Sequence, residues 1–338
     1  MDVPTWVWAA TLVALTALIV LDLVIVGRRP HAVGLREAGS WVLFYVALAL
    51  IFCAGIFLTG GPSPGGEFLA GYITEYSLSV DNLFVFVLIL TRFSVPAVHQ
   101  HRVLLIGIVL SLVLRGLCIA AGAAAISAFD WVFYIFGAIL IYTAVKLALE
   151  GDNEDDDFQD GRLVRTMQRL VPTTENYDGA KMVTRVDGRR VFTPMVVVIL
   201  AIGVANVIFA LDSIPAIFGL TQDTYIVFTA NAFALMGLRQ LYFLIGGLLD
   251  RLVYLSYGLS LILGFIGVKL VIEAMHGSGI EAIGPVHLPH IGIGLSLGII
   301  MATLAVTAGA SLLKSRIDRR AEVGREEEER ESVIESQH

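Results

Sequence analysis

Runs of about 20 apolar residues, separated by short polar breaks, repeat along the chain, and that is the length a helix needs to cross a hydrocarbon core. Nine stretches qualify, near 6–26, 40–59, 69–90, 103–126, 131–149, 195–220, 226–248, 252–273 and 290–313. The pattern predicts an all-α polytopic membrane protein with about nine transmembrane helices, because lipid leaves backbone groups no partner outside a helix or closed barrel. The first run is expected to be a span and not a signal peptide. Its flank Met1–Thr5 has no basic residue, whereas Arg28 and Arg29 follow the run.

Basic residues orient the spans, since cytoplasmic loops collect Lys and Arg. Of 23 basic residues, 19 fall after spans 1, 3, 5 and 7 and in the tail, while 60–68, 127–130, 221–225 and 274–289 hold none. This alternation predicts an N-terminus outside and a cytoplasmic C-terminus. The chain then divides into two N-terminal helices (1–68), a three-helix unit (69–149), a cytoplasmic linker (150–194), a second three-helix unit (195–273), an outer loop with the last helix (274–313) and a charged tail (314–338). The linker opens with the acidic run Asp152, Glu154–Asp157 and ends basic; the run could attract cations weakly or simply be a solvated loop. The tail is expected to be disordered or a solvated helix.

Composition narrows the function classes. The 338 residues are 57% hydrophobic and 16% charged with net charge −7, against about 25% charged residues in soluble domains. A soluble enzyme, a nucleic-acid binder and a disulfide scaffold are therefore set aside. Cys53 and Cys118 sit in apolar runs and read as core thiols. No constellation for covalent chemistry is visible, so neither an enzyme nor a resident cofactor is expected.

Spans 3–5 and 6–8 echo each other. Glu75-Tyr-Ser-Leu-Ser-Val-Asp81 with Asn82 is answered by Asn206-Val-Ile-Phe-Ala-Leu-Asp212 with Ser213, Arg115 by Arg239, and Lys146 with Glu150 by Lys269 with Glu273. By the loop charges the two units have opposite orientation, an arrangement of secondary transporters whose sites lie near the midplane between repeats. A carboxylate at mid-helix costs roughly 2.5–3.5 kcal/mol and persists with a partner or a task. Glu75, Ser79 and Asn82 share one stripe while Asp81 stands about 120° away, and Asn206, Ala210 and Ser213 stand likewise against Asp212. Either these helices are broken, or each stripe serves a different partner.

Pro215 suggests a break, because it removes the N–H that would bond the Leu211 carbonyl. Glu75, Asp81, Asp212, Asn82, Asn206 and a freed carbonyl would give about six hard oxygen ligands, suited to Mg²⁺, Ca²⁺ or Mn²⁺. Arg115 and Arg239 could form structural or gating ion pairs with these acids. Lys146 and Lys269, near span ends, could snorkel, and Asp22 could cap its helix or pair with Arg28 or Arg29.

The segments Glu75-Tyr-Ser-Leu-Ser-Val-Asp-Asn-Leu-Phe-Val-Phe86 and Phe209-Ala-Leu-Asp-Ser-Ile-Pro-Ala-Ile-Phe218 resemble the two signatures of the TerC family of bacterial integral membrane proteins. Leu21-Asp-Leu with Arg28 to Ala38, and Leu170 to Pro194, fit the same pattern. The resemblance implies Mn²⁺ export across the plasma membrane, an association with tellurite resistance and inverted three-helix repeats. It maps the polar signature positions onto Glu75, Asp81, Asn82, Asp212 and Ser213. One departure stands out: where the family pattern places Glu and Asp upstream of the second signature, this chain has Gly203-Val-Ala-Asn206. That change bears on ion affinity, selectivity and proton coupling.

The leading expectation is an exporter of Mn²⁺ or a similar divalent cation, with proton antiport through Glu75 as one coupling scheme. The alternatives are an exporter of a small organic solute such as an amino acid, and a membrane scaffold in the metal or tellurite stress response. Expected partners are the divalent ion, the bilayer and, at 150–194, a cytoplasmic protein. A homo-oligomer is compatible with the sequence; a nucleic acid is not.

Overall fold

The structure, a computed structural model, describes residues 3–28, 35–129, 131–150, 173–174, 177–179, 181–186, 189–245, 254–280, 282–283 and 286–335. The acidic run 152–157 lies outside the described residues, as do the side chains of Asp22, Asp81 and Arg239, whose backbone is helical. The described chain is almost entirely helical: α1 Thr5–Arg28, α2 Leu35–Gly60, α3 Pro62–Arg92, α4 Ala97–Ala128, α5 Val132–Glu150, α6 Pro194–Phe218, α7 Thr224–Met236, α8 Leu238–Ile245, α9 Leu255–Gly277 and α10 Ile293–Glu335. Among the described residues, seven segments are long and apolar enough to cross a membrane, within α2 to α6, α9 and α10. The apolar parts of α1 and α7 are shorter there, Thr5–Leu21 and Thr224–Met236. A helix stands at each of the nine predicted stretches, and the fold is the expected all-α, multi-pass one.

Two boundaries differ from the expectation. Helix α3 begins at Pro62, well ahead of residue 69. Proline at the first helical positions costs nothing, since that N–H has no partner in the helix, and Gly61 before it takes φ 91°, which glycine adopts freely. Glu67, read as loop, is thereby brought onto the helix.

The stretch 226–248 is one run in the sequence but two helices in the fold, interrupted at Gly237. Glycine is less favourable than alanine inside a helix by about 1 kcal/mol, so the run yields there first. Upstream, the Asp223 carboxylate caps α7 by accepting from the N–H groups of Tyr225 and Ile226 at 2.9 and 3.3 Å. Helix α6, in contrast, runs through Pro215 to Phe218. The expected break at Pro215 does not end the helix, although the Leu211 carbonyl still lacks a proline N–H to accept from.

Packing follows a cross-paired scheme. Helix α5 lies along α9, α3 along α7, α4 along α6, and α3 also touches α6. Phe68, Ile217 and Phe233 fill one core region, Phe86, Leu104 and Ile202 a second, and Leu140, Ile266 and Leu270 a third. The outer helices turn large apolar side chains outward, such as Val13, Leu58 and Val306, as lipid contact requires.

A close, backbone-to-backbone crossing joins α5 to α9. A Cβ at Gly137 would stand 2.7 Å from Val271 Cγ2 and 3.0 Å from the Gly267 carbonyl; one at Gly267 would stand 2.9 Å from Ile141 Cγ1 and 3.0 Å from the Gly137 carbonyl. The contact is reciprocal, with Gly137 and Ile141 on one helix matching Gly267 and Val271 on the other. It places Lys146 nine residues past its glycine and Lys269 only two past its own. The Lys-x-x-x-Glu echo therefore does not mark equivalent places in this packing.

Outside the spans, β1 (Val183–Val186) and β2 (Arg189–Phe192) form an antiparallel hairpin just before α6, a feature the linker's composition did not announce. A smaller hairpin, β3 (Ala282–Ile283) with β4 (Val286–His287), precedes α10. Helix α10 continues to Glu335, so the backbone of the tail is helical to that point. His99 and His101 stand near the start of α4 and His276 in the last turn of α9. They remain at helix ends, away from the apolar centres.

Candidate functional site

A buried polar cluster is built where α3, α4 and α7 meet. Glu75 on α3 and Arg115 on α4 form an ion pair, each 1% exposed. Ser79, one turn on from Glu75, donates its hydroxyl to Oε1 of the same carboxylate at 3.4 Å. The Asn82 amide, oriented as its neighbours require, accepts from Arg115 Nη2 at 2.8 Å and donates to the Leu78 carbonyl at 3.2 Å. On the other side Arg115 Nη1 donates to Asn231 Oδ1 on α7 at 3.5 Å. The stripe Glu75, Ser79, Asn82 thus faces one cation, and that cation belongs to the protein.

Burying these two charges costs several kcal/mol each, which their attraction offsets only with good geometry and further hydrogen bonds. The set is incomplete. Among the described residues Glu75 Oε2, Arg115 Nε and Asn231 Nδ2 are buried without a hydrogen-bond partner. Water or an ion is the ordinary partner of such atoms. Arg115 and Ser79 both engage Oε1, so Oε2 is the Glu75 oxygen left for water or an ion.

Helix α6 resolves the two-stripe question in favour of different partners. Asn206, 1% exposed, donates its amide to the Gly107 carbonyl on α4 at 3.2 Å. Asp212 lies on the other stripe, half-buried, and its Oδ1 accepts the Thr143 hydroxyl of α5 at 2.8 Å. Ser213 returns to the first stripe, buried with no partner for its hydroxyl among the described residues. Asn206 thus bonds to α4 and Asp212 to α5. Whether Asp81 faces Asp212 falls outside the described residues, and no group of three His, Cys, Asp or Glu poised for a metal occurs among them.

The lysines separate. Lys146 is half-buried. Lys269 is only 8% exposed, within electrostatic reach of Glu273 and Glu67. It is buried rather than snorkelling, on a helix packed against both α5 and α10. Glu67 itself accepts hydroxyls from Thr221 at 2.5 Å and Ser63 at 3.0 Å. Glu67, Asn231 and Thr143 are site residues that the sequence reading passed over. A neutral Asn or Thr inside an apolar run leaves no hydropathy signal, and Glu67 lay in what looked like loop.

The family model described as "Integral membrane protein TerC family" matches residues 60–319. The chain belongs to the TerC family. It is 42% identical over 309 residues to a Myxococcus xanthus protein called "Uncharacterized membrane protein STKORF319", covering 91% of this chain and 92% of that one. It is 43% identical over 316 residues to "Uncharacterized membrane protein Rv2723" of Mycobacterium tuberculosis, covering 92% and 80%. It is 39% identical over 309 residues to the Escherichia coli K12 protein named "Putative membrane-bound redox modulator Alx", covering 89% and 92%. No solved structure matches the chain. This TerC protein is thus an integral, multi-pass membrane protein whose apolar helices enclose buried ionic groups.

Proposed function

We propose that this TerC protein is a nine-span transporter of the plasma membrane, exporting Mn²⁺ or a similar hard divalent cation from the cytoplasm. The observation that carries the reading is Asp212. It is a carboxylate within a membrane-spanning helix, half-buried and oriented by the Thr143 hydroxyl. A charge kept at such a depth marks an ion path by default. Asp81, at the matching position of α3, is its natural counterpart, with Asn82 and Asn206 nearby in sequence. The Glu75–Arg115 pair then acts as a latch between α3 and α4, and Glu75 Oε2 is the oxygen it leaves for the ion.

Three further features support the reading. The helix pairs exchange between α3–α5 and α6–α9 as two inverted units would require, with α3·α7 answered by α4·α6. The α5–α9 crossing is reciprocal at Gly137 and Gly267. The interruption at Gly237, beside Arg239, is a discontinuous helix of the kind transporters place at their sites. Orientation with the N-terminus outside rests on the Arg and Lys count of the loops. Proton antiport is one coupling that a releasable carboxylate would allow.

The Escherichia coli relative's name suggests a second, redox reading. Cys53 and Cys118 are free thiols on α2 and α4, and Cys53 donates to the Gly65 carbonyl at 3.6 Å. Cys53 is buried, and a buried thiol is inert, while Cys118 is half-buried; Asp212 makes transport the better supported of the two.

The test is flux in liposomes holding a Mn²⁺-sensitive dye. Asp81→Asn and Asp212→Asn variants that fold should lose flux. Flux equal to wild type in both would remove the proposed ligands, and absence of metal flux in the wild type would favour an organic-solute exporter or a scaffold.

A further inference from the structure

The hairpin β1–β2 displays one face that the bundle does not cover. Val183 pairs with Phe192 and Arg185 with Arg190 across the ladder. Residues two apart on a strand share a face, so these four side chains lie together, and all four are exposed. The opposite face is the anchored one. Thr184 there is half-buried and donates its hydroxyl to Asp178 Oδ2 at 2.7 Å.

Two features of the exposed face call for a ligand. Like charges directly opposite on a ladder destabilise it, yet Arg185 and Arg190 stand cross-strand. Among the described residues neither forms an ion pair; the hairpin's one carboxylate contact of that kind is Lys181 with Asp178. Beside them, Val183 and Phe192 keep 43% and 44% of their surface exposed, an apolar pair on the same face as the guanidinium pair.

The hairpin's position says what meets that face. Phe192 comes two residues before Pro194, where the span in α6 begins. The Tyr177 hydroxyl donates to the Phe93 carbonyl at 2.7 Å, directly after the α3 span ends at Arg92. The hairpin is therefore pinned at the ends of two spans, on one side of the membrane. Val183 and Phe192 form its membrane-proximal pair, and the arginines lie about 7 Å further along the strands. Apolar side chains at the interfacial level with arginines beyond them match acyl chain and phosphate in that order.

We propose that this face is a docking site for anionic phospholipid headgroups of the adjacent leaflet. Arg185 and Arg190 clamp the phosphate through charge-assisted, bidentate hydrogen bonds, and Val183 and Phe192 rest against the acyl boundary. An anion between the guanidiniums removes the cross-strand repulsion, so lipid binding and hairpin order reinforce each other.

The test uses the full-length protein titrated with phosphatidylglycerol or phosphatidylcholine in native mass spectrometry. Hydrogen exchange of residues 181–192 is followed in nanodiscs of the same lipids. Wild type should prefer phosphatidylglycerol, with the hairpin better protected in the anionic discs. An Arg185→Gln, Arg190→Gln variant should lose about tenfold in phosphatidylglycerol affinity and the added protection, with an unchanged melting temperature. Val183→Ser, Phe192→Ser should weaken both lipids alike. Undiminished preference in the double arginine variant overturns the proposal. So does binding that emerges only when Asp152 and Glu154–Asp157 are neutralised, since the chain's own acidic segment would then be the occupant.

Discussion

Arg115 reaches from α4 into the stripe of α3 and forms an ion pair with Glu75, both side chains 1% exposed. This relationship changes what the intramembrane acids can do. Glu75 meets a cation of the protein on α4, and Asp212 accepts a hydroxyl from α5. The two carboxylates therefore join different helices, Glu75 linking α3 to α4 and Asp212 linking α6 to α5.

Breaking the pair from one side should be costly. Arg115→Leu leaves a buried Glu75 unpaired, and Glu75→Leu leaves a buried Arg115, each expected to destabilise by roughly 3–5 kcal/mol. The double replacement should recover much of that loss. Thermal unfolding of the purified protein through a double-mutant cycle measures the coupling, and additive losses would show that the two side chains do not act as a pair.

The α5–α9 crossing should tolerate no side chain. Gly137→Ala and Gly267→Ala both push a methyl into a neighbouring helix at 3.0 Å or less, and overpacking of this sort costs typically about 1–3 kcal/mol. Gly309→Ala, which meets nothing within 4 Å, should be close to neutral. Melting temperatures of the three variants decide the matter.

Thr143 should matter to Asp212 through its hydroxyl alone. Hydrogen bonds to a charged group are worth about 1.5–3 kcal/mol, so Thr143→Val should reduce Mn²⁺ flux by roughly tenfold or more. Thr143→Ser should retain most of it. Equal loss in both variants would point to packing rather than to the bond.

The linker hairpin carries a pH dependence with a definite sign. Hydrogen bonds from Thr184 and then Lys181 hold the Asp178 carboxyl below its ordinary value. A group whose pKa is lowered on folding stabilises the fold above its unfolded pKa, about 3.9 for Asp, and that contribution disappears as pH falls through the folded value. Amide exchange in 181–192 should therefore be flat from neutral pH to about pH 5 and then lose protection on further acidification, beyond the intrinsic pH effect on exchange. Asp178→Asn should abolish that acid step.

How much of this was readable beforehand depends on how local each feature is. The spans were, because a helix position in lipid depends on a continuous apolar stretch and little else. The two polar stripes were also legible, since 100° per residue separates Asp212 from Asn206 whatever surrounds them. Asn231 and Thr143 were not, being neutral residues in apolar runs whose importance arises from Arg115 and Asp212 on other helices. The hairpin 183–192 was missed because its alternation is short and lies in a polar linker.

The Lys146 and Lys269 echo shows the limit from the other direction. The two motifs look alike in sequence, yet the crossing of Gly137 with Gly267 sets them seven residues out of step. By itself the amino-acid sequence determined that this is a multi-pass helical membrane protein, where its helices lie and which residues are too polar for lipid. Those properties follow from the transfer of each segment out of water and from hydrogen bonding within each helix. Only the tertiary structure decided that Glu75 meets Arg115, that Asn206 meets Gly107 and that Asp212 meets Thr143. The rotation and depth of a helix against its neighbours is set by close packing between chains of side chains distant in sequence, and no single segment encodes it.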